Sequence, residues 1–194
     1  MKVLMTIIFI TVLFNCSQAC DEAELYPDKM FPEVLISTNM GDILVELDRH
    51  RSPITVNNFL KYIKSGKYEH TIFHRVEKDF VIQGGGYNEK FESITDCGKI
   101  YNESGNGLRN KTGSIAMARY DDPHSASSQF YFNLTDTPSL DPNSKNWGYT
   151  VFGEVIEGMD VLKNMSNAAT GYSNTLQSDN VPIEAIIINS IMVQ

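Results

Sequence analysis

FHRVEKDFVIQGG, residues 73–85, sets a histidine, an arginine and a glutamine among apolar side chains, and how it is read decides the fold. The runs 72–76 and 80–83 are rich in β-branched and aromatic residues and read as short neighbouring strands. An arginine in such company must be paired, functional, or reaching to water. On pattern alone, a structural ion pair is its commonest use. Gly84-Gly85-Gly86 lacks the spacing of a dinucleotide loop and suits a tight bend or a close backbone contact. His70 and His74 stand four apart, but on a strand that separation is about 13 Å. No third ligand accompanies them, so no metal is expected.

Working outward, the same punctuation recurs. Segments 34–38 and 41–47 read as a hairpin around Asn39-Met40-Gly41. Ile43, Val45 and Leu47 give the second strand one apolar face. A helix follows, with Ser52 as the expected N-cap and Pro53 in the first position. Val56, Phe59, Leu60 and Ile63 form one buried stripe, and Gly66 is placed to end it. Further strands are expected at 114–118, 129–134, 151–156 and 183–193, with a short second helix at 159–165. Ser128-Gln129-Phe130-Tyr131-Phe132 sets a second amide beside aromatics. Many short strands with Gly, Pro and Asn turns predict a sandwich or barrel, with two helices as plugs on its open ends.

The chain has 194 residues, 42% apolar and 21% charged, with a formal net charge of −8. This suits one folded domain and argues against nucleic-acid binding, which needs a basic stripe. Lys2, the apolar run 3–14 and Ser17-Gln18-Ala19 have the layout of a secretory signal peptide over residues 1–19. The run is short for a bilayer span, so no integral membrane span is expected after cleavage. Lipid anchoring through Cys16 or Cys20 is the second reading, and neither site fits that signal well. Residues 20–33 are acidic and carry two prolines, which predicts a flexible linker ahead of a domain at 34–194. Beyond residue 19 only Cys20 and Cys97 remain. One bridge in an oxidising compartment and two free thiols are both compatible with that count. Sequons stand at Asn102, Asn110, Asn133 and Asn164, a potential for glycosylation on a eukaryotic secretory route. Phosphate-binding loops, zinc-protease signatures and nucleophile elbows are all missing.

Four blocks in order carry a family resemblance: FHRVEKDFVIQGG (73–85), GSIAMAR (113–119), SSQFYFNL (127–134) and YTVFGEVIEGMDVL (149–162). From about Val34 to Val193 the chain resembles the cyclophilin-type peptidyl-prolyl cis-trans isomerases. NESGNGLRNKTGSIAMAR (102–119) and the signal peptide are most similar to the exported bacterial branch. The resemblance implies a mainly β fold: a closed eight-stranded antiparallel barrel capped by two α-helices. It puts the catalytic arginine at Arg75 and the proline pocket at Phe80, Val81, Tyr131 and Leu140, with Gln83 beside it. Ala118 and Arg119 match the segment whose backbone holds substrate, although many relatives carry asparagine at the second position. Gln129 and Tyr149 match pocket-wall positions, and His74 matches the histidine before the arginine. Both His74 and Gln129 suit scaffold better than chemistry.

Some positions depart from the family pattern. Val81 stands where methionine is common, Tyr131 where phenylalanine is usual, and Tyr149 where many eukaryotic relatives have histidine. Ser139 replaces a tryptophan that helps hold cyclosporin, so weak cyclosporin binding at most is expected. The implied activity breaks no bond, so neither cofactor nor metal is required. The implied partners are proline-containing polypeptides, met by a monomer in the bacterial periplasm; secretion is the alternative location. A proline-peptide binding module or chaperone is the competing class. Keeping Arg75, Phe80 and Gln83 together favours the enzyme, because a pure binder has less need of the arginine.

Overall fold

The computed structural model describes residues 25–194, so the expected signal peptide, Cys16 and Cys20 lie outside the described residues. Eight antiparallel strands close into a barrel. They are β1 (Glu33–Thr38), β2 (Gly41–Leu47), β3 (Thr71–Glu77), β4 (Val81–Asn88), β5 (Ser114–Met117), β6 (Phe130–Asn133), β7 (Val151–Glu157) and β10 (Ile186–Val193). Their order around the barrel is β1-β10-β3-β4-β6-β5-β7-β2, and β2 pairs with β1 to close it. Two helices, α1 (Pro53–Lys64) and α2 (Met159–Met165), complete the expected plan. The remaining strands, β8 (Thr170–Ser173) and β9 (Ser178–Pro182), form a separate two-stranded sheet. Sequence reading does not predict that hairpin, and it starts the last strand at Ile183, three positions before β10 begins.

Alternation along each strand divides inside from outside. Phe73, Ile82, Ile115, Met117, Phe130, Phe132 and Phe152 point into the barrel and belong to one buried core. Helix α1 adds Val56, Phe59 and Leu60, which are fully buried. Phe59 meets Tyr68, Phe130 and Phe152 at ring distances of 5.1–5.2 Å. Leu162 and Met165 of α2 are buried in the same core, as the sequence predicts.

The start of α1 differs from expectation. Ser52 occupies the N-cap position but makes no side-chain capping bond. Its hydroxyl donates instead to the Val151 carbonyl and accepts from Asn106. The free amides of Ile54 and Thr55 donate to the Glu103 carboxylate, at 3.1 and 2.8 Å. A carboxylate suits that end of the helix, where the backbone carries partial positive charge. At the other end Gly66 takes φ +65 and terminates the helix.

The glycine run lies within β4 rather than ending it. Gly85 has φ +74, and the β3–β4 register slips across this segment. A Cβ on Gly86 would lie 2.7 Å from the Gln129 side chain, so close approach is its use. Within the segment expected as a linker, the Tyr26 carbonyl accepts from Arg49 and the Pro32 carbonyl accepts from the Leu47 amide. Glu33 already pairs with Glu46 in the barrel. Cys97 is disulfide-bonded. Among the described residues, no helix is long and apolar enough to cross a membrane.

Candidate functional site

The register of five neighbouring strands draws one line of side chains across the outer face of the barrel. Arg75 of β3 pairs with Gln83 of β4, Gln83 with Tyr131 of β6, Tyr131 with Ala116 of β5, and Ala116 with Val151 of β7. Because side chains alternate, the neighbours of these residues fill the core while the row itself faces outward. Val81, Ala116, Tyr131 and Val151 form a second apolar cluster, separate from the core. Phe80, Leu108, Ala118, Leu140 and Tyr149 pack against it half-buried. The expected pocket residues Phe80, Val81, Tyr131 and Leu140 therefore meet on one face. Ala116, Val151 and Leu108 are lining residues that sequence reading missed. Ser-Ile-Ala-Met and Val-Phe-Gly are buried on both faces, so no polar–apolar alternation marked Ala116 and Val151, and only the pairing register turns them outward.

Arg75 stands at the polar end of the row. Its guanidinium carbon lies 5.7 Å from the centre of the Phe80 ring, a cation–π distance. One nitrogen donates to Gln83 Oε1 at 3.4 Å, and another pairs with the Glu77 carboxylate. Both members of that ion pair keep about a third of their side-chain surface exposed, 34% and 38%. Glu77 was not among the expected site residues. Gln83 passes the chain on, donating through Nε2 to Gln129 Oε1 at 2.8 Å. Arg75, Gln83 and Gln129 thus share one hydrogen-bonded line, with the second glutamine held in the space Gly86 leaves.

His74 faces the other way. It is buried, packs edge-on against Tyr87 at 4.9 Å, and leaves Nδ1 without a hydrogen-bond partner. Burial, with the Arg75 charge adding to it, lowers its pKa to about 4. The ring is therefore neutral near pH 7.

On the far side, Ala118 donates its amide to the Gln129 carbonyl at 2.9 Å. The Arg119 guanidinium lies 4.5 Å from the Tyr149 ring centre and donates to the carbonyls of Tyr120 and Trp147 at 2.8 and 2.9 Å. That side chain is committed to joining two loops, so this arginine does what asparagine at the same position is too short to do. Gln83, Ala118, Arg119, Tyr120, Ser125 and Gln129 border a small cleft next to the apolar cluster. Tyr131 carries a hydroxyl where a phenylalanine would carry none. It donates to Asn110 Oδ1 at 2.8 Å, and burial pushes its pKa well above the usual phenol value.

Two of the sequons are structural. Asn110 and Asn133 are 2% and 0% exposed and bond to one another, so a glycan on either is incompatible with this packing. Among the described residues, no group of three or more His, Cys, Asp or Glu side chains is arranged to hold a metal.

Comparison with known proteins agrees with the fold and places the chain in a family. The sequence model of the family described as "Cyclophilin type peptidyl-prolyl cis-trans isomerase/CLD" matches residues 33–193. The peptidyl-prolyl cis-trans isomerase cyp18 of Streptomyces antibioticus is 45% identical over 160 residues, covering 81% of this chain and 95% of the relative. Peptidyl-prolyl cis-trans isomerase B of Escherichia coli K12 is 44% identical over 163 residues, covering 82% and 98%. Among solved structures, a Cryptosporidium parvum cyclophilin-type isomerase matches with TM-score 0.69 and 29% identity, over 84% of this chain and 98% of that one. The same protein was also crystallised in the presence of the dipeptide Ala-Pro.

Proposed function

This chain belongs to the cyclophilin-type peptidyl-prolyl cis-trans isomerases and is an enzyme of that class, and we propose that Arg75 and the adjoining apolar cluster are its active site. The observation that carries this reading is the row itself, a guanidinium about one-third exposed beside an outward-facing apolar cluster.

A peptide bond rotates slowly because C–N resonance must be lost, at a barrier of about 18–20 kcal/mol. The catalyst has to bind the twisted amide better than either planar form. Phe80, Val81, Tyr131 and Leu140 hold the pyrrolidine ring, and backbone near Ala118 and Arg119 fixes the flanking chain. As the amide twists, the prolyl nitrogen regains its lone pair. Arg75 donates towards that nitrogen or the neighbouring carbonyl oxygen, in a site already shielded on its apolar side. Gln83 and Gln129 orient the guanidinium from below. Proton transfer has no part in the step, and arginine stays charged throughout.

Glu77 sets the guanidinium from the side away from Gln83. A pair this exposed is worth about 0.2–1 kcal/mol. Glu77→Gln is therefore expected to change kcat/KM by less than about fivefold, measured with a short X–Pro peptide. A loss as deep as that of an Arg75 variant would make Glu77 part of the chemistry.

The natural substrates are proposed to be exported polypeptides whose folding waits on proline, met by a monomer in the periplasm. The signal-peptide layout of residues 1–19 supports this. So does the bridged Cys97, since disulfides persist in oxidising compartments. The test is the proline-limited refolding phase of a secreted protein, which the enzyme should accelerate at substoichiometric amounts. An unchanged phase counts against a folding role. Fractionation of cells expressing the full chain tests the location: recovery in the cytosol with residues 1–19 intact counts against export. Ser139 is exposed on the turn Pro138–Leu140 and offers no indole to a bulky macrocycle. Calorimetric titration is expected to find weak cyclosporin binding, and a submicromolar Kd would contradict that.

A further inference from the structure

We infer that Asn110 is a positioning residue for the proline pocket, one buried side chain that ties the pocket's floor at Tyr131 to its wall at Leu140. Its Oδ1 accepts from the Tyr131 hydroxyl at 2.8 Å and from Asn133 Nδ2 at 3.2 Å. Its Nδ2 donates to Asp141 Oδ1 at 2.9 Å, and its backbone amide donates to the same oxygen at 2.8 Å. Its carbonyl accepts from the Thr137 amide at 2.8 Å. Asp141 directly follows Leu140. The Leu140 amide bonds back to the Thr137 carbonyl, and its carbonyl accepts from the Tyr149 amide at 2.9 Å. Three segments that are distant in sequence are thus held through one residue.

The chemistry of the position requires an amide. Tyr131 and Asn133 both bring donors and need an acceptor, while the Asp141 carboxylate needs a donor. Aspartate would set two carboxylates together. An apolar residue would leave the buried Tyr131 hydroxyl without a partner, a costly state. Asn110 touches no substrate in this arrangement. It acts through Tyr131 and Leu140, and the inference rests on the reading that these two hold the proline ring.

The test is kcat and KM for an Ala-Pro-containing peptide with wild type, Asn110→Ala, Tyr131→Phe, the double variant and Asn133→Ala, each verified as folded by circular dichroism. Asn110→Ala is expected to raise KM about tenfold, the factor lost with roughly one buried hydrogen bond. Its kcat should stay within about twofold, because ground state and transition state lose the same pocket. Tyr131→Phe should raise KM about threefold, and the double variant should be no worse than Asn110→Ala, because the two share one link. Asn133→Ala removes the longer of the two bonds to Asn110 Oδ1 but leaves those to Tyr131 and Asp141 in place, so it should raise KM clearly less than Asn110→Ala does. Where Asn110→Ala does not fold, Asn110→Thr carries the same comparison. Three results overturn the inference: an unmoved KM in the folded Asn110 variant, effects of Asn110 and Tyr131 that multiply, or an equal rise in KM with Asn133→Ala. A wild type without isomerase activity would instead overturn the reading of the site itself.

Discussion

Arg75→Ala is expected to lower kcat/KM on an X–Pro peptide by about 100- to 1,000-fold, the range found when one preorganised donor to a developing charge is removed. The fold should be nearly untouched. Arg75 is an edge feature of the row, its pair with Glu77 is only partly buried, and the core lies on the opposite face of the sheet. A thermal midpoint close to wild type is therefore part of the expected result. Arg75→Lys should recover only a small fraction of the activity. An ammonium keeps the charge but lacks the planar fork that reaches Gln83, Glu77 and substrate together. Activity within about threefold of wild type in folded Arg75→Ala, against the loss set out above, would remove this residue from the mechanism.

The second large effect falls on stability. Neutral in the native state with a pKa of about 4, His74 has an ordinary value of 6.5 once unfolded. A lowered native pKa means that the unfolded chain takes up the proton first. The native state thus has its full advantage above pH 6.5, loses it progressively as pH falls, and has lost it by about pH 4. The gap corresponds to about 3 kcal/mol. His74→Phe keeps a ring against Tyr87 and removes the titration. Urea unfolding of both proteins at about pH 7.5 and about pH 4 should show wild type losing about 3 kcal/mol more than the variant between the two. Parallel losses would mean that this ring is not the acid-sensitive group. The carboxylates that titrate in the same window are common to both proteins and cancel.

What could be read from the sequence follows physical scale. The β1–β2 hairpin and both helices are local. Asn39-Met40-Gly41, the stripe Val56, Phe59, Leu60 and Ile63, and the pair Leu162 and Met165 each declare themselves within a few residues. The β8–β9 hairpin does not, because TGYS and SDNVP are largely polar and half-exposed, with no alternating apolar face to detect. The glycine run suited either a bend or a close backbone contact, because glycine weakens a strand and lets backbone come near, and close contact is its use. It is kept inside β4 because Phe73, Phe130 and Gln129 crowd that backbone.

The site was legible mainly through family resemblance, which brought forward Arg75, Phe80, Gln83 and Tyr131. Residue pattern alone could not tell an outward-facing apolar cluster from barrel core, since both are aromatic and aliphatic. Only the pairing register separates them. The partners of those residues were hidden for a different reason. Glu103 caps α1 from some fifty positions away, Glu77 takes the place of an ordinary strand residue, and Asn110 looked like a glycosylation sequon. Single polar residues acquire meaning from what folds against them, and that is long-range information.

The most direct measurement of the central claim is the rate of cis/trans exchange in a short Ala-Pro peptide, followed by exchange NMR at equilibrium with the full chain present in trace amounts. Free in solution such a bond turns over in about tens to hundreds of seconds. The predicted result is exchange accelerated in proportion to enzyme concentration, with the cis:trans ratio unchanged and the acceleration gone in Arg75→Ala. A folded protein that binds the peptide yet leaves its exchange rate at the uncatalysed value would contradict the account and leave the row a proline-binding surface.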